Sequence, residues 1–342
     1  MAADFEVINA DCRDVFPLLS TFQSIVCDPP YAIGDWDWLN HPSELSDFTQ
    51  QWATQALDVI TPGAYMLMFA GTRTYHRMVC AVEDAGWEIR DSISWLYSQG
   101  FPKSTNAALK PAHELIALCR KPLDGTLAAN VMTHGTGALR IDDCRIGTTK
   151  EVPASPRRAP QGPTYGELGN DPGTGSGFNP NVGRWPANVV LDEDAAIELD
   201  NQSGQLKSGH MEGPRKKASG STYGEFNGTA ESHTYGDTGG ASRFFYCAKP
   251  SRKEREAGLE SLPEIKGRRN PHTTIKPISL MRWLCRLITP PGGRVLDPFC
   301  GTGTTGCGAI LEKLAFTGIE LDPEIARIAS LRIKASAHIE RG

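Results

Sequence analysis

Val295-Leu-Asp-Pro-Phe-Cys-Gly-Thr-Gly-Thr-Thr-Gly306 constrains the fold of this chain more than any other stretch. A short strand-forming run ends in an Asp-Pro turn, passes two glycines one residue apart and enters a helix of small residues. Gly301 and Gly303 remove side chains where the backbone has to approach a ligand, and the first turn of the following helix offers N–H groups that have no partner of their own. Strand, glycine turn and helix in that order make a nucleotide-binding turn. Glu320 ends the next strand, 19 residues after Gly301, where a carboxylate can accept hydrogen bonds from both hydroxyls of a ribose.

The regions on either side of the middle of the chain alternate strand-like apolar runs with helical patterns, which predicts an α/β fold with a mainly parallel sheet. In the first flank, strands are expected at 5–8, 24–27, 65–69, 89–96 and 115–119, the last two forming an antiparallel hairpin at one edge, with helices at 44–60 and 74–85. In the second flank a helix at 278–287 precedes strand 294–297, helix 304–314, strand 315–320 and a closing helix 323–335. Between them, 20 of the 35 glycines fall in residues 124–243. Residues 148–181 and 201–241 show no apolar periodicity and read as loops, with one strand expected between Trp185 and Leu191. The tetrapeptides beginning at Thr164, Thr222 and Thr234 (Thr-Tyr-Gly-Glu twice, then Thr-Tyr-Gly-Asp) read as a turn preference echoed in low-complexity sequence. The chain is thus divided into 1–123 and 244–342, two halves of one domain that supply every strand of its sheet, and an irregular Gly-rich insert at 124–243.

Composition excludes several classes. Thirty-five basic against 40 acidic residues, with 39% hydrophobic residues, describe a globular protein rather than a fibrous or coiled-coil one. No apolar run reaches the roughly 20 residues that span a bilayer, and the start Met-Ala-Ala-Asp has no basic flank, so a cytoplasmic location is expected. Nine cysteines without a C-x-x-C pair or a histidine at zinc spacing predict free thiols and no metal. The net charge of −5 conceals a basic last third. There Lys249, Arg252, Lys253, Arg255, Lys266, Arg268 and Arg269 suit a polyanion, although on charge alone the interleaved Glu254, Glu256, Glu260 and Glu264 slightly favour a solvated surface helix and loop.

A second motif, Asp28-Pro29-Pro30-Tyr31, follows the apolar run Ser24–Cys27 directly. Consecutive prolines fix φ and force an extended path, so the Asp28 carboxylate, the Pro29 carbonyl and the Tyr31 ring are offered at the C-terminal edge of the sheet, where α/β folds bind ligands. Two acceptors for an exocyclic NH₂ and a π-face for its ring are what an enzyme acting on an extruded base requires. Gly301-x-Gly-x-x-Gly306 with Glu320 also spells the dinucleotide fingerprint of an NAD-dependent oxidoreductase. Against that reading, the first glycine follows Asp-Pro-Phe-Cys rather than the strand itself. Too little chain follows Arg294 for a second mononucleotide-binding half.

Together the two motifs resemble those of S-adenosylmethionine-dependent DNA amino-methyltransferases, in the permuted subgroup whose catalytic DPPY segment precedes the cofactor segment. The resemblance implies a Rossmann-like methyltransferase sheet with catalytic residues Asp28, Pro29, Pro30 and Tyr31. It implies cofactor contacts from Asp11 in Asn9-Ala-Asp11, from Asp28, from Thr274 and Lys276 in His272-Thr-Thr-Ile-Lys-Pro277, and from Asp297, Phe299, Gly301, Gly303 and Glu320. Trp95–Lys103 and Pro111–Pro122 also look like family segments. Target recognition falls to 124–243, and Lys253, Arg268 and Arg269 become candidate DNA contacts.

The expected activity is methylation of adenine N6 in double-stranded DNA, since in this family an Asp at the first motif position goes mostly with adenine. Cytosine N4 is the first alternative, RNA methylation the second and the oxidoreductase the third. A non-enzymatic binding module would not need Asp28 and the glycines, and both are intact. The resemblance also admits a homodimer and a cognate restriction endonuclease as partners, without metal or membrane.

Overall fold

Parallel strands joined through helices need apolar residues on both sheet faces, and the strands of this chain have them: Phe22, Ile25, Val26 and Cys27, then Ala64 to Ala70, are all buried. The computed structural model describes residues 4–32, 41–100, 108–147, 183–208, 236–248, 256–264, 269–270 and 275–339. Its strands are β1 (Phe5–Asn9), β2 (Phe22–Cys27), β3 (Ile60–Ala70), β4 (Glu88–Leu96), β5 (His113–Arg120), β6 (Val189–Asp192), β7 (Leu206–Lys207), β8 (Thr238–Gly239), β9 (Tyr246–Ala248), β10 (Arg294–Asp297) and β11 (Ala315–Glu320). The α-helices are α1 (Cys12–Val15), α2 (Pro42–Asp58), α3 (Tyr75–Asp84), α4 (Leu127–His134), α5 (Glu193–Ser203), α6 (Ile278–Ile288), α7 (Thr304–Leu311) and α8 (Pro323–Ile339). None of them is long and apolar enough to cross a membrane.

Among the described residues the main sheet has nine strands, in the order β1-β11-β10-β2-β3-β5-β4-β6-β9. β1, β11, β10, β2 and β3 run parallel, whereas β5 is antiparallel to both β3 and β4. This is the mostly parallel α/β sheet expected, built from both ends of the chain. The hairpin does not end it, because β6 pairs in parallel with β4 (Ser94↔Val189, Trp95↔Val190, Leu96↔Leu191). The expectation that the flanks supply every strand is therefore corrected. β6 lies inside 124–243, and burial of Val190 and Leu191 explains why it joins the sheet.

The chain divides into two units at positions other than the sequence boundaries. One contains residues 1–144, 187–196 and 247–342, the other 145–186 and 197–246. Residues 124–144 belong to the first because α4 is tied to β3: buried Asn130 donates through Nδ2 to the carbonyls of Pro62 (3.0 Å) and Thr136 (2.8 Å). In the second unit, buried Arg184 donates through one nitrogen to both oxygens of Asp237, each at 2.6 Å, and Ser208 Oγ donates to the same carboxylate. Asp237 ends the third Thr-Tyr-Gly tetrapeptide and anchors this unit; the other two tetrapeptides lie outside the described residues.

Candidate active site

β10 and β2 are parallel neighbours in register, Val295 opposite Ser24 and Leu296 opposite Ile25. The turn after β2 and the turn after β10 consequently leave the same sheet edge side by side. From β10 the chain continues through α7 to β11 on one side, and from β2 through α2 to β3 on the other. Connections diverging in this way open a crevice between the two strand ends, the switch point where α/β sheets bind ligands.

In the acidic turn, Asp28 is one-third exposed and both its oxygens are engaged. Lys276 Nζ lies 2.7 Å from Oδ2, and the Tyr31 hydroxyl donates to Oδ1. Lys276 stands just before α6, is only 9% exposed, and also meets Glu114 Oε2 at 3.0 Å. Its Nζ sits over the Phe69 ring, 4.9 Å from the centroid. Burial alone would lower the lysine pKa, but the two carboxylates overcome it and hold the ammonium above its ordinary value. Burial, then the Asp28 charge, push the Tyr31 phenol well above its usual range, so it is a hydrogen-bond donor here. Thr74 Oγ1 donates to the Tyr31 carbonyl at 2.9 Å. A Cβ on Gly71 would come within 3.1 Å of the Tyr31 ring, so glycine there lets the ring approach the chain just past β3.

The two glycines of the turn after β10 have different surroundings. Gly301 (φ +51°) has nothing within 4 Å of where its Cβ would sit, which leaves the open approach expected beside a ligand. Gly303 (φ +81°) is required by packing as well: a Cβ there would lie 3.0 Å from the backbone and Cβ of Ala329 on α8. Glu320 Oε2 accepts from the Gly301 N–H and Oε1 from the Asp322 N–H, both at 2.9 Å, so the carboxylate reaches the turn. Asp297 Oδ1 accepts from the Phe299 N–H at 3.0 Å. Burial raises its carboxyl to about 7 despite that bond and one from Thr305. Phe299 packs edge-on against Trp52 and Phe48 of α2, 5.2 and 5.9 Å between centroids.

Arg332 and Glu114 escaped the sequence reading. Buried Arg332 donates to the Thr302 carbonyl (2.5 Å) and hydroxyl (2.9 Å), pinning the glycine turn from α8. Its signal was a cation on the same helical stripe as Ile328, Ala329 and Ser336, all buried. Arg332→Met should lower stability by about 2–4 kcal/mol, since buried oxygens of the turn lose their donor. Urea unfolding checks this, and an unchanged midpoint would mean that the turn holds itself.

Asp11 caps α1, and its carboxylate receives three hydrogen bonds from Arg13 (2.7 to 3.0 Å), which hold its pKa below the usual range. It follows β1, next to β11, where Asn9 Nδ2 donates to the Glu320 and Leu321 carbonyls. Arg269 is paired with Glu264 at 3.6 Å, and its N–H donates to Glu256, so two of the interleaved acids are engaged there. Lys253, Arg268, His272 and Thr274 lie outside the described residues.

Two turns with engaged carboxylates, at neighbouring ends of β2 and β10, place the candidate site at the switch point of a mostly parallel α/β sheet. The N6/N4 methylase family, described as DNA methylase, matches residues 22–331. The chain belongs to that family. It is 28% identical over 121 residues to the type II methyltransferase M.HindIII of Haemophilus influenzae, covering 28% of this chain and 39% of that one. It is 37% identical over 67 residues to the DNA adenine methyltransferase YhdJ of Escherichia coli, covering 20% and 23%. The matches thus span well under half the length of these relatives. Among solved structures, the PvuII DNA methyltransferase, described as cytosine-N4-specific, shares the fold with TM-score 0.54 and 12% identity over 100% of this chain and 94% of its own.

Proposed function

We propose that the chain transfers a methyl group from S-adenosylmethionine to the exocyclic N6 of an adenine flipped out of duplex DNA. The observation that carries this reading is the adjacency of Asp28 and the Gly301 turn at neighbouring strand ends, in a chain of the N6/N4 DNA methylase family. The residues present fit the cofactor. Gly301 keeps an open approach, Glu320 offers a carboxylate suited to a ribose, and Asp297 offers a second one suited to a cationic group. Asp11, Phe299 and Thr274 complete the assigned contacts, with Gly303 setting the turn against α8. When bound, S-adenosylmethionine supplies an electrophilic methyl on a sulfonium sulfur. Asp28 and the Pro29 carbonyl accept the two amino hydrogens of the base, which points the nitrogen lone pair at that methyl. Asp28 also stabilises the positive charge that develops on the nitrogen. Pro30 keeps the turn extended and the Tyr31 ring stacks on the base, contributing to the few kcal/mol that flipping costs.

Glu320→Ala should weaken cofactor binding about 10- to 100-fold, the equivalent of a charge-assisted bond of roughly 1.5–3 kcal/mol. Calorimetric titration measures it, and an unchanged Kd would remove Glu320 from the site. Neutralising Arg268 and Arg269 together should weaken binding to all DNA sequences alike and flatten its dependence on salt. An unaltered salt slope would leave both as ordinary surface residues.

Adenine is favoured over cytosine because the motif opens with Asp28 rather than Ser, and because the relative YhdJ is described as an adenine methyltransferase. Sequencing DNA from cells that express the chain, with modified bases identified, tests this choice. N6-methyladenine at a recurring site is expected. N4-methylcytosine without N6-methyladenine would overturn the choice of base and leave the mechanism standing.

A further inference from the structure

Lys276 belongs to the segment whose resemblance assigned it to the cofactor, yet its ammonium is spent elsewhere. It sits 2.7 Å from Asp28 Oδ2 and 3.0 Å from Glu114 Oε2, with the Phe69 ring beneath it. The topology builds this contact. β5 runs antiparallel to β3, with Leu115 opposite Ala70, so Glu114 at the start of β5 arrives at the edge where the parallel strands end. Glu114 Oε2 is shut off from solvent.

We infer that Lys276, clamped by Glu114, is a positioning residue that fixes the Asp28 carboxylate and leaves Oδ1 as the oxygen that meets the target amino group. This inference rests on the proposed methyl transfer and deepens it. With Oδ2 held by Lys276, the Tyr31 hydroxyl on Oδ1 is the partner that an amino hydrogen replaces. A carboxylate already oriented in this way needs no rearrangement as charge develops. The pair also settles the charge of the site. Asp28 with Lys276 alone is neutral and offers little to a nitrogen turning positive. Glu114 restores a net charge of −1 to the trio. Asp297 also acts electrostatically on this cluster from β10, since the charge of Asp28 contributes to the raised pKa of Asp297.

The test uses the full chain, duplex DNA and S-adenosylmethionine, with single-turnover methyl transfer and cofactor Kd measured for wild type, Lys276→Met, Lys276→Arg, Glu114→Gln and the double variant Lys276→Met/Glu114→Gln. Lys276→Met should slow transfer about 100-fold with cofactor Kd within about threefold of wild type, and Glu114→Gln about tenfold. Lys276→Arg should recover part of the loss. The double variant should be no slower than Lys276→Met alone, because Glu114 acts through the lysine. Thermal melts identify any variant that fails to fold, and Glu114→Gln, which keeps shape and a hydrogen-bond acceptor, then carries the test. Loss of cofactor affinity with an unchanged saturated rate would return Lys276 to the cofactor site and overturn the inference, as would additive losses in the double variant. A wild-type chain that transfers no methyl to DNA would instead remove the proposed function itself.

Discussion

Asp28→Ala is expected to slow methyl transfer by about 10³-fold or more while cofactor Kd stays within about threefold of wild type. The carboxylate is assigned the amino hydrogens and the developing charge, both of which matter only as the methyl moves, so the loss belongs in kcat. Lys276 keeps Glu114 as a partner in the variant, and the sheet end is held by buried Cys27 and Pro29, so the fold should survive. Single-turnover kinetics beside a cofactor titration checks the split. A variant that turns over at the wild-type rate would remove Asp28 from the chemistry.

Asp297→Asn should move stability and binding in opposite directions. Burial holds the Asp297 carboxyl at about 7 in the folded chain against an ordinary value of 3.8. Between those two values the folded state keeps a proton that the unfolded state has released. The contribution of this residue to stability is therefore most favourable below about pH 4 and is lost as pH rises towards 7, at a cost on the order of a few kcal/mol. Asparagine keeps the shape and a carbonyl for the Phe299 N–H without that charge. The cofactor-free variant should melt higher than wild type at pH 7.5, and the difference should shrink at pH 5. Cofactor affinity should fall more than tenfold, since the carboxylate assigned to a cationic group is gone. Melting curves at the two pH values and a titration measure both. A variant destabilised at pH 7.5 would show that the charge of Asp297 is compensated within the turn.

Much of the sheet was legible because its strands are apolar on both faces and end in punctuation that a sequence displays. β10 and β11 were read with their observed bounds, and β2 was read up to the Asp28-Pro-Pro turn. What was not legible depended on partners distant in sequence. A strand was expected between Trp185 and Leu191, but not that β6 would join the main sheet beside Ser94–Leu96. Asn130 reads as an ordinary polar residue until the Pro62 and Thr136 carbonyls bring α4 against β3. In the site, the motifs fixed which residues carry chemistry but not their partners. Gly303 looked like a ligand contact, and Ala329 of α8 shows that packing already requires it. Lys276 and Glu114 lie 162 positions apart and meet only because β5 reverses direction beside β3.

The most direct measurement combines the purified chain, duplex DNA and S-adenosylmethionine labelled in its transferable methyl, followed by digestion to nucleosides and chromatographic separation. Label is expected in N6-methyladenine with wild type and in no nucleoside with Asp28→Ala. Label in neither N6-methyladenine nor N4-methylcytosine, or equal labelling by the two proteins, would contradict methyl transfer to an exocyclic amino group by this site.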